Sequence, residues 1–326
     1  MLPSNSFGKS NISISRLGYG AMGLSGSFGS MEESEFIQSI HRSLELGVNF
    51  IDTARAYGPS EETIGKALKT WDGPQPFIAT KVKPCGKGGW GSPIPVIEAY
   101  PPGSIQASVD ASLQALGVEA LDLIQMHQYW SAWDDEPYWL EEMVKLKEAG
   151  KVKYIGISIP DHRHDMALSL VKSGKIDSVQ SILNIFDPIA LDNLVPLCEK
   201  HGVAFIARCV LDEGGLTGLL SSDTTFTERD FRNGYFDAGP RSEYIARVER
   251  LRSFIPQYAS SLAALAIKYA LHAPGVTTSI ISMHIKEYAE QNAAALQEDP
   301  LPDEVVDELY KRHRWIRNFY ERKYWK

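Results

Sequence analysis

The stretch Val48-Asn49-Phe50-Ile51-Asp52-Thr53-Ala54-Arg55-Ala56-Tyr57-Gly58-Pro59-Ser60-Glu61 reads as a buried strand, a loop and the start of a helix. Val48 to Ile51 form the apolar run, and Ile64, Ala67 and Leu68 then recur at helical spacing. The same pattern repeats in both directions along the chain. Glu33–Leu46 has helical spacing through Phe36, Ile40 and Leu44 and stops at Gly47. Ser104–Leu116 is helical and stops at Gly117, a glycine where a C-cap belongs. Further strands are expected at Arg16–Ala21, Phe77–Val82, Leu121–Met126, Val152–Ile157, Ser178–Leu183, Val203–Ala207 and Thr278–Ile281. Helical stretches separate them. A helix in each strand-to-strand crossover makes parallel strands the expectation. About eight such units predict an α/β fold closed into a (β/α)8 TIM barrel. A doubly wound open sheet shares the alternation, but no G-x-G-x-x-G follows a strand. No composition shift marks a boundary. Residues 1–326 are therefore expected to form one domain, with a C-terminal helical extension from about residue 303.

Composition narrows the functional classes. A hydrophobic content of 44% supports a sizeable core. The net charge of -8 argues against a nucleic-acid partner, because phosphate binding needs concentrated positive charge. Cys85, Cys198 and Cys209 are far apart and form no C-x-x-C pair, which fits a reducing compartment. Met1 to Ser10 lacks the apolar core of a signal peptide, and no run is long enough for a membrane span. A cytoplasmic protein with no membrane partner is expected. His162-x-His164 has a metal-like spacing but no convergent carboxylate, so it reads as a loop and no metal is expected.

The rim at the C-terminal ends of barrel strands is where chemistry is expected. Read in order, those ends carry Asp52, Lys81 and His127, with Tyr57 in the loop after Asp52. A phenol has a pKa of roughly 10 and is a weak acid at neutrality. A neighbouring ammonium group favours the phenolate, so Lys81 is expected to lower the pKa of Tyr57, with Asp52 holding Lys81 charged. Tyr57 would then donate a proton to a developing alkoxide that His127 orients. Hydride must come from a cofactor, since no side chain supplies one. Taken singly, each residue has a structural explanation: a cap for Asp52, a snorkelling lysine, a packed histidine, a packed tyrosine. Their agreement on one rim favours the chemical one.

These residues carry a resemblance. Asp52-Thr53-Ala54 with Tyr57-Gly58, Ser60-Glu61 and Gly65 resembles the signature of the aldo-keto reductases, as do Ala79-Thr80-Lys81 and Met126-His127. Leu17-Gly18-Tyr19-Gly20-Ala21-Met22-Gly23 is similar to the family's first strand, and Gly150 to Ser158 to its fifth. Val179-Gln180 with Asn184 is similar to the sixth, and Gly214 to Gly218 to the loop after the seventh. The resemblance implies a barrel, a catalytic Asp52-Tyr57-Lys81-His127 set and an extended NAD(P)(H) bound without a Rossmann fold.

It also implies cofactor contacts. Ser158 and Gln180 would hold the nicotinamide carboxamide, and Gly20, Ala21, Met22 and Asp52 would lie near the reactive end. Leu211, Gly215 and Leu216 would follow the pyrophosphate, and Gln291 and Asn292 would reach the adenine. Two positions depart from the commoner pattern: Ile159 replaces an asparagine, and Arg208 replaces a tyrosine that stacks on the nicotinamide. Ser282, His284 and Lys286 stand where a 2′-phosphate is received in members that use NADPH. NADP(H) is the expected coenzyme, with NAD(H) the alternative.

Trp90, Tyr129, Trp130 and Trp133 are expected to wall a substrate mouth built by loops at 84–103, 128–137 and 221–240. Aromatic walls beside polar groups suit a small carbonyl compound or a sugar. The leading function is NAD(P)(H)-dependent oxidoreduction of an aldehyde, ketone or alcohol. The alternative is a cofactor-binding regulatory protein of the potassium-channel β-subunit type.

Overall fold

The structure, a computed structural model, describes residues 2–85, 93–228, 230–236 and 240–315. It opens with a two-stranded antiparallel hairpin, β1 (Ser4–Ser6) and β2 (Ser13–Ser15). Eight parallel strands follow: β3 (Leu17–Gly20), β4 (Phe50–Asp52), β5 (Phe77–Val82), β6 (Leu121–Met126), β7 (Val152–Ser158), β8 (Ser178–Ile182), β9 (Ala204–Arg208) and β10 (Val276–Ser282). They pair in chain order, and β10 closes on β3. The expected (β/α)8 barrel is the fold.

Helices fill the crossovers. They are α1 (Glu33–Glu45), α2 (Ser60–Lys69), α3 (Val96–Ala99), α4 (Ser104–Leu116), α5 (Tyr138–Glu148), α6 (Leu168–Ser173), α7 (Leu194–His201), α8 (Arg232–Phe236), α9 (Arg241–Leu251), α10 (Leu262–Ala270), α11 (Lys286–Ala295) and α12 (Asp303–Arg312). Gly117 caps α4 in the left-handed region at φ 67°, where its amide bonds the carbonyl of Leu113. Gly65 lets α2 approach the end of α4 closely. A Cβ at this position would lie 2.6 Å from the carbonyl oxygen of Ala115 and 2.9 Å from that of Leu116. Gly65→Ala is therefore expected to destabilise the protein by about 1–3 kcal/mol, because two helix backbones would have to separate. A urea midpoint equal to wild type would show that the helices part freely.

Three features were not legible as expected. The polar N-terminal stretch forms the hairpin, and its Phe7 and Ile14 plug the bottom of the barrel against Phe50, Phe77, Leu123 and Ile206. Phe7 contacts Phe77 at 4.8 Å and Tyr154 at 5.1 Å between ring centroids. The plug explains why a chain segment with so few apolar residues is ordered. The long loop after β5 contains α3, and the segment after β9 contains α8. Beyond α12, Trp315 is buried against Phe186 and Tyr244, and its amide bonds the carbonyl of Phe186. The C-terminal segment thus packs back on the barrel as far as it is described.

Strand register sets up the upper rim. Gly20 is level with Asp52, Lys81 with Gln125, and Ser158 with Gln180. Among the described residues, no helix is long and apolar enough to cross a membrane.

Candidate active site

Asp52 ends β4 and Lys81 lies near the end of β5, and both side chains are sealed from solvent. Lys81 Nζ donates to Asp52 Oδ1 and, at 2.9 Å, to the carbonyl of Thr53. The other Asp52 oxygen accepts Gln180 Nε2 at 2.8 Å and Gln125 Nε2 at 3.3 Å. A buried carboxylate is tolerable only when paired and hydrogen-bonded, and here both oxygens accept from side-chain donors. Burial pulls the Lys81 ammonium down while Asp52 holds it charged.

Tyr57 is carried by a turn in which its amide bonds the carbonyl of Ala54 at 2.9 Å. The loop around it is clamped. Thr53 and Ser60 share a hydrogen bond of 2.8 Å, and Ser60 donates to the carbonyl of Ala21. Buried Glu61 accepts Thr80 Oγ1 at 2.6 Å and pairs with Arg55 at 2.5 Å. This is the structural reason for the Ser60-Glu61 part of the opening stretch. The Tyr57 ring stands edge-on to His127, with centroids 5.6 Å apart and planes at 82°. Lys81 Nζ lies 5.2 Å from the Tyr57 ring centroid. The four residues expected at one rim are together there.

The electrostatics correct one expectation. The phenol pKa of Tyr57 is raised, not lowered. Burial, followed by the Asp52 carboxylate, pushes Tyr57 up, and Arg208 is the group that opposes them. The Lys81 ammonium is itself paired with Asp52. Burial, with Lys81 and Arg208 adding to it, holds His127 well below its ordinary value, so its imidazole is neutral. The unliganded rim therefore presents a protonated phenol beside a neutral imidazole.

Gly20 ends β3, and Ala21 and Met22 open the 3-10 turn that follows. Ser158 ends β7, nearly buried. Gln180 is turned inward to Asp52 and Gln125, which takes both N–H groups of its amide. Arg208 ends β9; its Nη2 donates to the carbonyl of Ile159 at 3.0 Å and to Asp161 at 2.5 Å.

Leu211, Gly215 and Leu216 lie in the loop after β9, and three non-glycine residues there, Cys209, Asp212 and Glu213, have φ between 47° and 57°. Such left-handed backbone is strained and is concentrated at functional sites. Asp212 holds the loop by accepting hydroxyls from Tyr244, at 2.7 Å, and from Tyr235. A Cβ on Gly215 would lie 2.0 Å from the Tyr244 hydroxyl. Glu213 accepts from the Cys209 thiol, and burial pushes its carboxyl up to about 7.

Ser282 bonds His284 Nδ1 at 2.7 Å. His284 is buried, stacks with Phe28 at 6.0 Å and meets Tyr288 edge-on; burial and Arg232 push it down to about 4. Lys286, the first residue of α11, is exposed. Gln291 is exposed, whereas Asn292 is buried and its Nδ2 has no partner among the described residues. An orphaned buried amide is costly unless something else completes it.

The aromatic wall is reduced. Tyr129 and Trp133 are buried in a cluster with Tyr100 and Trp139. Tyr129 donates to Asp134, and Trp133 to the carbonyl of Ile94. They anchor the loop after β6. Trp130 is also buried, but its indole N–H has no partner among the described residues. Trp90 lies outside the described residues. His162 bonds Asp187, and no metal-ligand cluster occurs among the described residues.

Sequence reasoning missed Gln125, Asp161, Asp212, Glu213, Tyr235 and Tyr244. Only Asp212 and Glu213 carried a signal, as two acids beside a Gly-Gly pair, and that pattern also fits a solvated turn.

The chain is thus a closed parallel barrel with a carboxylate, ammonium, phenol and imidazole gathered at its C-terminal rim. The chain matches the Aldo/keto reductase family profile over residues 16–312 and belongs to that family. It is 26% identical over 309 residues to the NADH-specific methylglyoxal reductase of Escherichia coli (strain K12), covering 89% of this chain and 92% of that protein. The glycerol dehydrogenase AKR11B4 from Gluconobacter oxydans superposes with a TM-score of 0.77 at 26% identity, over 95% of each chain. The holo form of aldo-keto reductase AKR11C1 from Bacillus halodurans gives a TM-score of 0.74 at 25% identity, over 98% of this chain and 99% of that one. The protein is an oxidoreductase of a family that uses NAD(P)(H).

Proposed function

We propose that this enzyme reduces the carbonyl of a small aldehyde, ketone or sugar to an alcohol, or runs the reverse reaction, with Tyr57 as the acid. The observation that carries this reading is the edge-on contact of Tyr57 with His127, above the buried Lys81–Asp52 pair. The coenzyme, when bound, supplies the hydride. Tyr57 Oη donates its proton to the carbonyl oxygen as negative charge develops there. His127, held neutral, donates an N–H to the same oxygen and fixes its direction. Lys81 and Asp52 form the floor that keeps Tyr57 in place. Trp130 offers its indole N–H, unpartnered among the described residues, to a polar group of the substrate.

The residues present fit a nicotinamide dinucleotide. Asn292 has an amide awaiting an acceptor, and the loop of Leu211, Gly215 and Leu216 brings small residues and backbone to one edge of the rim. NAD(H) is the favoured coenzyme. His284 is neutral, engaged by Ser282 and covered by Phe28, so the charges near a 2′-phosphate there are those of exposed Lys286 and of Arg232, which Asp230 already pairs. The methylglyoxal reductase relative is itself described as NADH-specific. His284→Arg is expected to tighten NADPH by about tenfold while leaving NADH nearly unchanged. Equal response of both nucleotides in a binding titration would remove this reading.

The test of function is to follow coenzyme oxidation at about 340 nm across a panel of aldehydes, ketones and sugars that includes methylglyoxal. Turnover is expected with at least one class. Tight nucleotide binding with no turnover across the panel would replace the enzymatic reading with a regulatory one.

A further inference from the structure

The two departures from the commoner family pattern touch each other. Arg208 Nη2 bonds the carbonyl of Ile159 and the Asp161 carboxylate, and Nη1 lies 3.3 Å from Cys209 Sγ. The ion pair is lopsided: the Arg208 side chain is 19% exposed and that of Asp161 is 42% exposed. Arg208 is the more enclosed partner, and it, not Asp161, is among the main influences on Tyr57, Lys81 and His127, so the cation is the stronger source of field at those groups. That field reaches the reacting groups. Arg208 pulls Tyr57, Lys81 and His127 toward lower pKa values.

A carbon that gives hydride must sit roughly 3–3.5 Å from the carbon whose oxygen faces Tyr57 and His127. The nicotinamide therefore shares the space that Arg208 borders. Beside Ser158, its carboxamide finds few other partners there. Gln180 has committed its amide N–H groups to Asp52 and Gln125, and Ile159 has no polar side chain. A guanidinium has five N–H donors, and Arg208 keeps some beyond those given to Ile159 and Asp161.

We propose that Arg208 makes the site discriminate between the two redox states of its coenzyme, binding the reduced form more tightly than the oxidised form. The inference rests on the coenzyme reading above. A reduced nicotinamide is neutral and an oxidised one is a pyridinium cation, so a fixed cation beside the ring disfavours only the latter. Arg208 thereby keeps the site loaded with the reduced coenzyme and speeds release of the oxidised one, while making hydride donation on the enzyme less favourable, and Asp161 sets how strongly. Neither effect needs Arg208 to contact the substrate.

The test is to titrate wild type, Arg208→Met and Asp161→Asn with NADH and NAD+, and with NADPH and NADP+. Binding is read by fluorescence of the reduced nucleotide and its displacement by the oxidised one. Wild type is expected to favour the reduced form. Arg208→Met is expected to cut that preference by about tenfold, and Asp161→Asn to increase it a few-fold, because the counter-charge is gone. Opposite movements are not produced by a merely structural role, which would weaken both nucleotides together. Asp161 is exposed enough that its substitution keeps the test available should Arg208→Met fold poorly. A preference that stays within twofold in both variants, or moves the same way in both, would overturn the inference alone. A wild-type protein that binds no nicotinamide nucleotide would overturn the coenzyme reading and the inference with it.

Discussion

Tyr57→Phe is expected to lower kcat for carbonyl reduction by on the order of 10²-fold or more, with coenzyme affinity little changed. The substitution removes one O–H and keeps the ring. The edge-on packing against His127 remains, as do the clamps through Thr53, Ser60, Arg55 and Glu61 that shape the loop. The loss is therefore chemical. No neighbour can take over the role. Lys81 is enclosed with Asp52 and bonded to the carbonyl of Thr53, and His127 is a neutral imidazole whose N–H orients but is a far weaker acid than a cationic imidazolium. The measurement is kcat under saturating coenzyme, with nucleotide affinity determined in parallel. A variant that turns over at nearly the wild-type rate would sink the assignment of Tyr57 as the acid.

Lys81→Met should produce the largest loss of stability among single changes at the rim, about 3 kcal/mol or more. The cost is the charge left behind. Asp52 is 1% exposed and would keep only the amide donors of Gln125 and Gln180. The paired change Asp52→Asn with Lys81→Met should recover part of the loss, because the stranded carboxylate is gone. Urea unfolding of the two single variants and the double variant measures the coupling. Strict additivity would show that the buried pair is not a unit, and a loss below about 1 kcal/mol for Lys81→Met would show that Asp52 is solvated or protonated when alone.

Much of the architecture was legible because it rests on short-range periodicity. Apolar runs such as Phe77–Val82 and helical spacings such as Phe36, Ile40 and Leu44 report burial within one turn or one strand. Chain order then places the end of each strand on the same rim of the barrel. That is enough to bring Asp52, Tyr57, Lys81 and His127 together. It does not reveal how their charges are divided. Lys81 bonds Asp52 and lies 5.2 Å from the Tyr57 ring centroid, yet burial and Asp52 leave the Tyr57 phenol raised and not lowered. Nor does chain order reveal that the Gln180 amide crosses 128 positions of sequence to reach Asp52.

The N-terminal hairpin shows a similar limit. Phe7 and Ile14 are isolated apolar residues in a polar stretch, and their burial depends on a cavity that exists only after the barrel closes. Tyr129 and Trp133 show the converse, since aromatic character alone does not say whether a ring faces a substrate or a loop. The sequence by itself determined the barrel and the four residues at the rim, because strand-and-helix alternation places strand ends by order alone, and its motifs carried the family resemblance. The tertiary structure decided that Asp52 is held by Lys81, Gln125 and Gln180, that Asp212 is strapped by two tyrosines, and that Arg208 is a cation pulling on Tyr57. Those outcomes depend on side-chain direction and on the dielectric around each charge, and neither is encoded in the spacing of residues along one strand.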